Sequence, residues 1–167
     1  MSRRKQEALE VPASDLTLTA LFLPPQSLSS IGDLQKIGRD SAYPLDGCYV
    51  LTADINAAET ASWNGGAGML PIGSSEAPFT GVLDGRGHVI YGLKIARPAQ
   101  SEVGLFGYID FAATVRDLSL TNCSVTGCDQ VGGVAGVNCG VIERCHVAGA
   151  VTGNDYTPLN FVDPVTG

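Results

Sequence analysis

The chain is poor in the residues on which most recognisable chemistry depends. It has two histidines, one tryptophan and ten Lys plus Arg residues, and charged side chains make up only 16% of it. Asp and Glu total 17, giving a formal net charge of −7. The positive face that phosphate contacts require is therefore missing, which argues against nucleic acid as a partner. Two histidines cannot build a His-rich metal cluster. No His-Glu-x-x-His, Gly-x-Ser-x-Gly or Gly-rich phosphate loop occurs, which counts against metallopeptidase, esterase and nucleotide-binding readings. The repeated Asp nonapeptide of calcium-binding β-rolls is absent too. No cofactor and no metal are expected.

Long apolar runs are also missing. Leu16 to Leu23 contains two threonines and stops at Pro24-Pro25, too short a stretch to span a bilayer. The start, Met1-Ser2-Arg3-Arg4-Lys5, has the basic character of a signal peptide, but Gln6, Glu7 and Glu10 follow and no apolar h-region comes next. Export would then use an upstream segment, a different start or another route. The five cysteines, Cys48, Cys123, Cys128, Cys139 and Cys145, form no Cys-x-x-Cys, and their odd number leaves at least one without a partner in the chain. Several of them read best as small buried fillers, with pairing and redox state left open.

What is abundant is glycine, 21 residues, within a chain that is 44% hydrophobic. That combination predicts many tight turns between short strands around a real core. Residues 1–26 read as a leader and 154–167 as an irregular tail. One helix is predicted from Ser30 to Ile37, with Ser30 as its cap, Asp33 three residues on, Ile31, Leu34 and Ile37 on one face, and Gly38 as the stop. Strands are predicted over Cys48–Ile55, Phe79–Leu83, Val89–Ile95, Val103–Ile109, Val115–Leu120, Val131–Val134, Val141–Val147 and Ala150–Thr152. Trp63 to Gly68 reads as a loop.

An internal repeat organises these strands. Gly104-Leu105-Phe106-Gly107 recurs 29 residues on as Gly133-Val134-Ala135-Gly136. Val115 to Leu120 aligns with Ile142 to Val147 at 27, and Val125-Thr126-Gly127 with Val151-Thr152-Gly153 at 26. A drifting period of this size signals stacked repeats, each with an apolar face that only its neighbours can cover. Val89 to Ile95 reads as a degenerate earlier copy.

The block Val131-Gly132-Gly133-Val134-Ala135-Gly136-Val137-Asn138-Cys139-Gly140-Val141-Ile142-Glu143-Arg144-Cys145 resembles the GLUG motif of large bacterial surface proteins. Those proteins include filamentous haemagglutinin-like adhesins and non-catalytic regions of some IgA-cleaving metallopeptidases. Upstream, Ile31 to Gly38, Tyr49 to Ile55, Pro71-Ile72-Gly73 and Phe79 to His88 resemble the segment that commonly precedes such repeats. The resemblance implies an all-β chain forming a right-handed parallel β-helix with a short N-terminal capping helix. Residues 27–102 would be the capping region and first turns, and 103–153 the repeats proper. Gly104, Gly107, Gly132, Gly133, Gly136, Asn138 and Gly140 are its structural residues. The glycines are expected to supply positive φ at corners and close approach between neighbours, and Asn138 to satisfy backbone groups at a turn.

Candidate chemistry is thin. Asp84-Gly85-Arg86-Gly87-His88 is the best enzymatic segment: Asp84 with Asp54 or Asp110 offers the carboxylate pair of glycoside hydrolysis, and His88 a proton shuttle. The same five residues read as a tight turn entering a strand, and that reading is preferred. A zinc site of Cys139, Cys145 and the outward-facing His146 lacks the usual spacing. Asn122-Cys123-Ser124 fits a glycosylation sequon. Trp63 is a candidate for stacking on a sugar, or for packing beneath its loop.

The sequence thus points to a non-catalytic structural or adhesive segment of a bacterial surface or secreted protein, located outside the cell. A host or environmental glycan or protein would be its partner, and an open end of the repeat array would favour self-association. The alternatives are a glycan lyase or hydrolase on the same fold, and an accessory module of a larger peptidase.

Overall fold

A computed structural model describes residues 24–154. The basic start, the Leu16 to Leu23 stretch, and the leader and tail beyond these limits lie outside the described residues. The chain is mostly β-structure, with one short helix and one irregular 3-10 segment. Among the described residues no helix is long and apolar enough to cross a membrane.

Strand β1 (Gln26–Leu28) and helix α1 (Ile31–Lys36) come first. The sequence signals of α1 are realised. Ser30 has extended backbone and its Oγ accepts from Asp33 N at 3.1 Å, while Asp33 Oδ2 accepts from Ser30 N at 3.2 Å. This reciprocal cap satisfies two amides that the first turn leaves without partners. Six residues are too few to hold a helix by themselves. Ile31, Leu34 and the C-cap Ile37 are buried against the common core, and Gln35 clamps the Leu70 backbone in both directions, at 2.9 and 3.3 Å.

The remaining strands are β2 (Cys48–Leu51), β3 (Ile55–Asn56), β4 (Val82–Asp84), β5 (Val89–Tyr91), β6 (Lys94–Ala96), β7 (Phe106–Ile109), β8 (Thr114–Arg116), β9 (Ser119–Gly127), β10 (Ala135–Asn138), β11 (Val141–Glu143) and β12 (His146–Gly153). They form three sheets. The first runs β1-β2-β4-β8-β11, the second β12-β9-β5-β3 with β6 also on β9, and the third joins β7 to β10. Every pairing between these strands is parallel. From β4 onward the strands fall in the first, second and third sheets in turn, whereas β1 to β3 belong only to the first two.

The residues aligned by the sequence repeat are register partners. Val115 pairs with Ile142, Val125 with Val151, and Phe106 with Ala135. The drop in period from 27 to 26 is a β-bulge: Thr121 pairs with Ala148 and Cys123 with Gly149, leaving Asn122 unopposed at φ 51°. Earlier passes are longer, with Val82 opposite Thr114 and Cys48 opposite Val82.

Strand alternation puts one residue in two inside. Tyr49, Leu83 and Val115 are stacked in the first sheet, and Ile90 beside Leu120 and Ile95 beside Val125 in the second; all are buried. Phe79 and Phe106 add a tilted ring pair, 4.7 Å between centroids. Each such side chain contributes roughly 1.5–3 kcal/mol relative to exposure.

Several predicted strands are divided by corners. Cys48–Ile55 breaks into β2 and β3, Val89–Ile95 into β5 and β6, Val115–Leu120 into β8 and the start of β9, and Val141–Val147 into β11 and the start of β12. Asp117 and Arg144 occupy the latter two corners with φ near 50°, a left-handed conformation that costs a non-glycine residue about 1 kcal/mol. Val131–Val134 is not a strand: Val131 makes one isolated bridge to Val103, and β10 starts at Ala135. Strand β1 lies at the end of the segment read as leader.

Candidate functional site

The Asp84 to His88 segment forms the tight turn between β4 and β5. Asp84 Oδ1 accepts from Arg86 N at 2.8 Å, Arg86 and Gly87 take positive φ, and His88 N donates to Gly85 O at 2.8 Å. The two candidate catalytic side chains then go to different partners. Asp84 Oδ2 receives Arg116 Nε at 3.1 Å and Nη2 at 3.0 Å. His88 Nδ1 lies 3.1 Å from Asp54 Oδ1, which also accepts Val89 N at 3.0 Å. Asp110 Oδ1 is taken by Phe111 N at 2.6 Å. Each carboxylate proposed for glycoside chemistry is thus engaged by a backbone amide, and two of them by a basic side chain as well.

One pass further on the same corner carries a bidentate ion pair, Arg144 Nε to Asp117 Oδ1 at 2.6 Å and Nη2 to Oδ2 at 3.0 Å. The Arg144 guanidinium holds the Asp117 carboxyl below the usual carboxylate range. The Val89 amide, helped by His88, does the same for Asp54. A carboxyl with a lowered folded pKa contributes stability that is fully present above its unfolded value. That stability is lost as pH falls through the folded value. The melting temperature should therefore fall on acidification below about pH 4, and more steeply at low salt. Asp117→Asn should flatten part of that dependence in a melting series against pH.

The outer face of the first sheet, beside this corner, holds a cleft of about 310 Å³. Its floor is Cys48, Val50 and Val82, and its polar wall is Asp84, Arg86 and Arg116. The two arginines were not singled out in the sequence. Their signal is Asp84 opposite Arg116 across a 32-residue interval, longer than the repeat visible downstream.

Trp63 sits where the 3-10 segment (Ala58–Gly66) loses helical geometry, between Ala58 and the left-handed Asn64 and Gly65. It is half-buried against the core. It also lines a shallow cleft of about 370 Å³ with Gly32, Gln35, Asn64 and Leu70. The amide nitrogens of Gln35 and Asn64 are already bonded to Leu70 O and Gly68 O, which leaves that cleft little directed polarity.

The cysteines do not converge, and all five are free. Cys123 and Cys128 are buried, and burial pushes the thiols of Cys123 and Cys145 up. Cys139 Sγ contacts Tyr108 Oη at 3.4 Å, whereas Cys145 Sγ faces Glu143 O at 3.4 Å. His146 is exposed. Among the described residues no three His, Cys, Asp or Glu side chains gather as metal ligands. In the sequon, the side chain of Asn122 is exposed at the bulge.

Of the two roles expected of the motif glycines, positive φ at corners is not found. None of Gly104, Gly107, Gly132, Gly133, Gly136 and Gly140 has positive φ; the non-glycine corner residues Arg86, Glu102, Asp117, Gln130 and Arg144 do. The glycines serve close approach instead. A Cβ at Gly104 would lie 2.8 Å from Gly132 O, and one at Gly133 would meet the Val147 side chain at 2.6 Å. A Cβ at Gly132 would meet Ala135 O, one at Gly107 Gly73 O, and one at Gly140 the carbonyls of Asp110 and Ala113. Asn138 stands opposite Ile109, not another asparagine, and its Oδ1 accepts Gly140 N at 3.1 Å. It closes a local turn.

No protein-family model and no solved structure matches the chain. It is similar to Halomucin of Haloquadratum walsbyi, with 43% identity over 136 residues, covering 78% of this chain and 2% of that protein. It is also similar to a protein of Evansella cellulosilytica described as a Gly-rich membrane protein, with 41% identity over 86 residues, covering 50% of this chain and 10% of that protein. The chain spans only a small part of either relative.

Proposed function

We propose that the chain is a segment of right-handed, GLUG-like parallel β-helix serving as a non-catalytic structural and adhesive part of a surface or secreted protein. The observation that carries this reading is the parallel register. Residues aligned by a repeat of 26 to 29 lie side by side in all three sheets, as stacking of equivalent passes requires. Right-handedness follows from the strong preference of parallel crossovers. The capture of Asp54, Asp84 and Asp110 by backbone amides favours a scaffold over glycan cleavage. The small share of each relative that matches supports one segment within a much longer protein. The membrane description of the second relative supports the cell surface or exterior as its place. The test is a glycan array on purified chain, with the same samples assayed for released product. Binding without turnover is the expected result; product release would replace the adhesive reading with an enzymatic one.

A further inference from the structure

We infer that the cleft on the outer face of the first sheet binds an acidic saccharide, with Arg86 as the residue that takes its anionic group; this rests on the adhesive reading above.

The cleft floor is a sheet face. Cys48 pairs with Val82, Val50 with Asp84, and Asp84 with Arg116, so these outward side chains form adjacent rows while Tyr49, Leu83 and Val115 fill the core behind them. The strand amides and carbonyls beneath are used within the sheet, so a ligand here must be read by side chains. What the cleft offers is an aliphatic floor and a charged wall. The floor suits the C–H face of a pyranose ring.

The wall has an uneven charge balance. Arg116 places two nitrogens on Asp84 Oδ2, and the two charges offset one another while still presenting donors and an acceptor to hydroxyl groups. Arg86 is different. Its backbone is fixed in the left-handed region by the Asp84 turn, it lines the cleft, and its guanidinium has no hydrogen-bond or ion-pair partner among the described residues. One uncompensated cation therefore stands at the rim of an otherwise neutral cleft, on a chain of net charge −7. A planar guanidinium beside an aliphatic floor matches a sugar bearing a carboxylate or a sulfate. The volume of about 310 Å³ is at the small end for ligand sites, which fits a short stretch of saccharide.

The experiment is titration calorimetry of the whole chain with four probes: oligogalacturonate, neutral malto-oligosaccharide, sulfated dextran and a Glu-rich peptide. An anionic saccharide should bind at least ~10-fold more tightly than the neutral one, and Arg86→Gln should lose that margin. Arg86→Lys should keep part of it, and added salt should weaken binding. The carboxylated and sulfated arms tell which anion is preferred. Because the Arg86 side chain bonds nothing among the described residues, Arg86→Gln should melt as the native chain does, so lost binding cannot be lost folding. Saccharide binding that ignores Arg86, or equal binding of the Glu-rich peptide, overturns this site and leaves the adhesive reading standing. Silence toward every probe overturns this site alone; the adhesive reading is decided separately by the glycan array.

Discussion

Gly136→Ala is expected to destabilise the fold by on the order of 3 kcal/mol or more, an unusually large effect for one added methyl. A Cβ there would lie 2.6 Å from both Glu102 C and Val103 N and 2.7 Å from Gln130 O. All three are backbone atoms, so no rotamer change relieves the overlap. Glu102 and Gln130 are the left-handed corners before the third sheet in successive passes. The added methyl would therefore push apart two turns that are hydrogen-bonded to each other, Val103 N to Gln130 O at 3.0 Å. Gly107 lies opposite Gly136 between the paired Phe106–Ala135 and Tyr108–Val137, and its own Cβ would meet Gly73 O. Gly153→Ala is the control. Its Cβ would come no closer than 3.4 Å to another atom, so its effect should stay within about 0.5 kcal/mol. Urea denaturation of the two variants decides the matter: equal midpoints would mean that the motif glycines are not close-approach sites.

That result bears on why the fold was only partly legible. The repeat was readable because Val115, Val125 and Phe106 have apolar counterparts at nearly constant intervals, and those intervals are the registers. The helix was readable because Ser30 and Asp33 are local signals that act locally. The corners were hidden. Arg86, Asp117 and Arg144 adopt a conformation usually signalled by glycine, so a run such as Val115 to Leu120 reads as one strand when it turns at Asp117. The motif glycines take no positive φ, and Gly104, Gly107 and Gly140 are dictated by backbone about one repeat away, which no local pattern shows. The cleft was hidden for the same reason. Arg86 and Arg116 become neighbours of Val50 and Val82 only when three strands of unequal spacing are laid side by side. Asp84 and His88 were noticed because they are close in sequence, and the structure sends them to separate partners.

The purified chain should self-associate with rising concentration, and Val151→Lys should return it to a monomer. Among the described residues β12 pairs only with β9, so one edge of an eight-residue strand has no partner. Val147 and Val151 continue the stacks of Leu120 and Val125, yet they are 37% and 42% exposed where the residues beneath them are fully buried. His146–Gly153 contains no Asp, Glu, Lys, Arg or Pro, the residues that blunt an edge against pairing. A net charge of −7 opposes contact between copies, and this strand adds no Asp, Glu, Lys or Arg to that opposition. It is also self-complementary. Val147-Ala148-Gly149-Ala150-Val151 reads the same in both directions, so antiparallel pairing about Gly149 sets Val147 of one copy against Val151 of the other with both pointing inward. Such a two-fold contact closes on itself. A lysine at Val151 places an inward charge on the edge, a device that blocks pairing, and the exposure of Val151 keeps the cost to the monomer small. Sedimentation velocity over a range of concentrations reads both forms. A native chain that stays monomeric throughout would mean that the open edge is already covered, and an oligomer unaffected by Val151→Lys would move the contact away from β12.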